Sequence, residues 1–75
     1  MAETVTHGHQ TFTTKQIKRI AHNATRAALR GKVVSIEGFR PATHFDNPRI
    51  IVRLVEDDGS LGQEYLVAPH IIIDL

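Results

Sequence analysis

Residues 14–32 read TKQIKRIAHNATRAALRGK, with Lys15, Lys18, Arg19, Arg26, Arg30 and Lys32, one histidine, and no acid. The fold turns on whether this stretch is a helix. Threonines at 11, 13 and 14 stand just before it, where an N-cap belongs. Gly31 follows it and offers the left-handed stop that ends many helices. At about 100° per residue, Ile17, Ile20, Ala21, Ala24, Ala27 and Ala28 fall on one side. Lys15, Lys18, Arg19, His22, Arg26 and Arg30 fall on the other. The spacing therefore predicts an amphipathic helix over about 15–30, with a narrow, alanine-rich buried face.

After Gly31 the hydrophobic period changes to two. KVVSIEGF (32–39) is rich in β-branched residues and is interrupted by Gly38. RIIVRLVED (49–57) places Ile50, Val52 and Leu54 on one face and Ile51, Arg53 and Val55 on the other. Asp57-Asp58-Gly59-Ser60 has the residues of a tight hairpin turn, and GQEYLVA (62–68) returns from it. Pro69 blocks ladder continuation, so HIIIDL (70–75) reads as a separate last strand. In that strand Ile71, Ile73 and Leu75 would face the core, leaving Ile72 on the opposite side.

The expected fold is α+β: an N-terminal amphipathic helix packed on a small curved antiparallel sheet or barrel of four to five strands. A helix leading into the sheet, and EYLVAPHIIIDL as two final strands around a bend, resemble the shape of the small Sm-like and Src-homology-type barrels. The likeness is one of element order over roughly the last two-thirds of the chain, and shape implies no function. Residues 1–10 are polar, with Gly8 between His7 and His9, and read as a flexible tail with a short strand around Thr4-Val5-Thr6 as the alternative. Residues 11–75 read as one domain.

At 75 residues without cysteine, no disulfide or thiolate metal site supports so small a core. Self-association is one remedy. Absence of cysteine suits a cytoplasmic location, and the first residues do not have the basic flank and apolar run of a secretory signal. HIIIDL is far shorter than the roughly 20 apolar residues of a membrane span, so no membrane partner is expected.

Charge is divided unevenly. In residues 1–36 the six cations named above stand against Glu3 alone, a balance of +5. Residues 37–75 hold Arg40, Arg49 and Arg53 against seven carboxylates, a balance of −4. Such asymmetry suits a polyanionic partner, or attraction between the two halves.

Three groups of residues invite a functional reading. On the basic stripe, Lys15, Lys18, Arg19, His22, Arg26 and Arg30 could follow the phosphates of a nucleic acid; the plain alternative is a solvated helix face. In the loop GFRPATHFDNP (38–48), Arg40 and Phe45 could stack on bases, or the phenylalanines could plug the core. His7-Gly8-His9 supplies two metal-type ligands on a tail, too few to expect a metal site. No nucleophile elbow, glycine-rich phosphate loop or catalytic cysteine is present in the sequence, so neither catalysis nor a cofactor is expected.

The sequence thus points to a small non-enzymatic binding module, with nucleic acid as the first partner. The alternative is a protein-interaction or oligomer-forming module whose basic helix docks on an acidic protein surface. The uncovered Ile72 predicts a homo-oligomer with that residue at the interface.

Overall fold

The computed structural model describes residues 3–75. Among the described residues, seven strands form two sheets. A hairpin of β1 (Thr4–His7) and β2 (Gln10–Thr13) stands apart from a five-stranded antiparallel sheet. That sheet comprises β3 (Ile17–Ile20), β4 (Val33–Arg40), β5 (Arg49–Val55), β6 (Leu61–Val67) and β7 (Ile72–Ile73), in the order β6-β5-β4-β3-β7. All its pairings are antiparallel.

The predicted helix over 15–30 is absent, and the α+β assignment is corrected to a nearly all-strand fold. Its first turn is instead β3, and the remainder is a loop with one 3-10 turn at Ala27–Leu29. The reason is tertiary. Ile17, Lys18 and Arg19 pair with Ser35, Val34 and Val33 of β4, while Arg19 and Ile20 pair with Ile73 and Ile72 of β7. As a helix this segment would leave the inner edges of both neighbours without partners, and buried backbone groups need them. The helix would also have little to bury: beyond two isoleucines, its apolar face is alanine. Ladder bonds on both sides outweigh a propensity difference of a few tenths of a kcal/mol per residue.

The loop from Ala21 to Lys32 is clamped at its base. Ile20 N–H donates to Lys32 O at 2.9 Å, and Gly31 N–H donates to Ile20 O at 2.9 Å. Ala21 N–H reaches Ile71 O at 2.8 Å. Ala24 and Leu29 turn inward and are buried, so the loop is tied to the core at its middle as well as its ends. Gly31 does adopt positive φ (72°), but closes this loop and not a helix.

The core is Phe12, Ile20, Ala24, Leu29, Val34, Ile36, Ile50, Val52, Val67 and Ile72. It draws on alternate residues of β4 and β5, as period two requires. Phe12 is the hairpin's contribution, and fixes β1–β2 against the larger sheet. Threonine hydroxyls pair across that hairpin, Thr4 with Thr13 and Thr6 with Thr11.

Ile72 needs correction as well. It is fully buried in its own chain, whereas Ile73 and Leu75 are exposed. Pro69–Ile71 forms a 3-10 turn, so the final strand begins only at Ile72. A change of one position in strand parity exchanges inward and outward faces. The premise that Ile72 requires a second chain to cover it is therefore gone.

Candidate functional site

Freed from a helix, the basic residues of 15–30 take separate structural roles. Lys15 lies in the turn before β3 at φ 71°, its ammonium 2.7 Å from Glu37 Oε1. That contact is the main reason the Glu37 carboxyl sits below its ordinary value of 4.5; Ser35 Oγ–H, donating at 2.7 Å, adds to it and burial opposes. Lys18 shares the inward side of β3 with Ile20, and its ammonium pairs with Asp74 past the end of β7. Arg19 points the other way and donates to Gly31 O at 3.1 Å. Lys15 and Lys18 are thus neutralised by carboxylates, and Arg19 braces the loop base.

His22, Arg26 and Arg30 remain on the loop and are exposed. The His22 ring lies against Gly31. Arg30 Nε–H donates to Ala24 O at 2.6 Å, so one guanidinium N–H braces the loop. Arg26 stands over the Tyr65 ring at 5.4 Å from its centroid, a cation–π contact that joins the loop to β6. Lys32, exposed at the loop's end, belongs with them. Among the described residues, Arg26, Arg30, Lys32 and Arg40 have no carboxylate within ion-pair distance.

A groove of about 440 Å³ opens beside this loop. Thr25, Arg26 and Leu29 of the loop line it together with Arg49 of β5, Leu66 and Val67 of β6, and Ala68, His70 and Ile71. Its cations are Arg26 and Arg49, with His70 beside them, and no acid lines it. Arg49 also bonds Asp46 Oδ1 at 3.2 Å, which ties the groove to the β4–β5 loop.

That loop carries Phe45 in the open, 97% exposed. The phenylalanine does not plug the core; Phe12 fills it, with Phe39 packed at its margin. Thr43 Oγ1 accepts from the N–H groups of Phe45 (3.2 Å) and Asp46 (3.1 Å), and Thr43 N–H donates to Asp46 O at 2.9 Å. The ring is held outward by a hydrogen-bonded turn. Arg40 is exposed and borders a hollow that it shares with Glu3, Val5, His7, Phe39 and Pro48.

Arg49, Tyr65, Leu66 and His70 were invisible as site residues in the sequence. They are distant from the basic stretch along the chain and carry no motif; only sheet pairing brings them to it. Period two placed Arg49, Tyr65 and Leu66 on β5 and β6, and His70 at the start of the last strand, but did not indicate which loop would lie over them.

His7, His9 and His70 line a further groove between the hairpin and the 3-10 turn. Among the described residues no group of three ligand-type side chains is arranged to hold a metal ion. No helix among the described residues is long and apolar enough to cross a membrane. No family model, curated protein or solved structure matches the chain.

Proposed function

We propose that this chain is a non-enzymatic cytoplasmic module that binds nucleic acid through the loop of residues 21–32 and the groove beside it. One observation carries the reading: the groove is lined by Arg26, Arg49 and His70 with no acid, and among the described residues Arg26, Arg30 and Lys32 of its loop have no carboxylate partner, while Arg49 gives one N–H group to Asp46. Cations left unpaired beside a concave surface are available to phosphates, whose neutralisation releases counterions and drives binding. The functional surface is smaller than a helix stripe would provide, because Lys15 and Lys18 are already engaged.

The test is fluorescence anisotropy with labelled DNA and RNA oligonucleotides, from low to physiological salt. Three or four phosphate contacts give a log–log salt slope of about −2 to −4. Arg26→Glu combined with Lys32→Glu should abolish binding at physiological salt and leave the cooperative unfolding transition in place. Absence of binding at low salt would overturn the reading.

A second reading, self-association, is favoured by one feature. Ile73 of β7 is exposed, as is Leu75 beyond its end, and β7 is an edge strand whose outer backbone is available for pairing. Light scattering across micromolar concentrations distinguishes it: a monomer throughout would dismiss it, and a dimer broken by Ile73→Lys would support it.

A further inference from the structure

Phe45 presents a problem that phosphate binding does not solve. A phenylalanine ring in full contact with water is an unfavourable arrangement, and a loose loop would fold such a ring onto the nearest apolar surface. Here the backbone prevents it. Thr43 caps the turn through two N–H groups, and the Asp46 carboxylate receives both Asn47 N–H at 2.9 Å and the Arg49 guanidinium. The ring is thus pre-positioned on a rigid support, which lowers the entropy lost when it meets a ligand.

Its position relative to the groove decides what that ligand is. Asp46, the next residue, is bonded to Arg49, and Arg49 lines the groove. Through Asp46, the turn that presents Phe45 is joined to a residue that lines the groove. The groove supplies cations at Arg26 and Arg49 and apolar surface at Leu66 and Ile71, and the turn supplies an aromatic face.

We propose that the groove and the Phe45 turn together bind a single-stranded segment of nucleic acid, with its phosphates on Arg26 and Arg49 and one base stacked on Phe45. This inference rests on the nucleic-acid reading above and narrows it. A duplex hides the faces of its bases in its own stack, so it has nothing to offer a ring held on a turn. At about 440 Å³ the groove is also of small-ligand size, large enough for a nucleotide. In a single strand every base has a free face, and stacking on an aromatic side chain is tolerant of sequence.

The experiment compares one labelled 12-nucleotide strand with the duplex it forms, each at several salt concentrations, for the wild type, Phe45→Ala and Phe45→Trp. The single strand should bind at least about tenfold more tightly than the duplex. Phe45→Ala should weaken single-strand binding by about 5- to 100-fold, without changing the salt slope, since no phosphate contact is lost. Phe45→Trp should retain affinity, and its indole emission should be quenched by the strand and not by the duplex. Because the ring touches little of its own protein, both variants should unfold at the wild-type temperature. If strand and duplex bind equally and Phe45→Ala is silent, this inference is overturned while the nucleic-acid reading stands. If duplex binding is the one that depends on Phe45, the ring acts as a wedge between base pairs and the single-strand proposal is likewise overturned. If nothing binds at low salt, both fail.

Discussion

The β4–β5–β6 meander and the segment before it, β3 with its loop of residues 21–32, are held by different means. In the meander each strand pairs with its neighbour in sequence, and the β5–β6 turn is short and internally bonded. Asp58 there accepts from Ser60 N–H and Oγ–H, which also draw its carboxyl below the ordinary range, and Gly59 takes φ 87°. β3 has its sequence neighbour β4 on one side only; on the other it is held by β7, from the far end of the chain. Local pairing leaves a pattern that can be read along the chain; pairing between distant segments leaves much less. The same dependence makes the candidate binding surface contingent on the sheet's completion, because its loop is anchored between β3, β4 and the 3-10 turn.

The largest break in this comparison comes from the residues that seat β3. Ile20→Ala should cost about 2–5 kcal/mol, as for a fully buried aliphatic side chain. Ile51→Ala, on the partly exposed face of the meander, should cost clearly less. Urea unfolding of the pair checks this, and a smaller loss at Ile20 than at Ile51 would contradict the central placement of β3. Next in size is Gly31→Ala. A Cβ at φ 72° is strained, and it would lie 2.8 Å from His22 Cε1, so a loss of about 1–3 kcal/mol is expected.

The smallest effect is the pH response of the Lys15–Glu37 contact. A carboxyl lowered in the folded state binds its proton more readily when unfolded. Its contribution is therefore complete above the ordinary value of 4.5 and is lost as pH falls below it. Lys15→Met should flatten the acid side of the stability curve in that range while hardly altering stability far below it. An unchanged curve would mean that the exposed lysine contributes nothing through this carboxylate, as many surface pairs do.

Strands β4, β5 and β6 were legible because two independent signals agree there. Alternating apolar residues specify a half-buried strand, and Asp-Gly with Pro69 mark where strands stop. Residues 14–32 carried a helical period too, and its failure is instructive: alanines at helical spacing satisfy the period while offering little area to bury. The cations were legible as a group, but not their fates. Three of them, Lys15, Lys18 and Arg19, acquire partners at residues 37, 74 and 31 that no local pattern connects to them.

By itself the sequence determined strands β4, β5 and β6, the hairpin turn between the last two, the break at Pro69 and the excess of positive charge in the first half. Tertiary structure alone decided that Ile17–Ile20 is a strand, which isoleucine of the last three is buried, and which cations stay free. The physical reason is common to all three. A ladder bond, a core contact or an ion pair depends on what the rest of the chain brings alongside, and β7 and Asp74 come to β3 from more than fifty residues away.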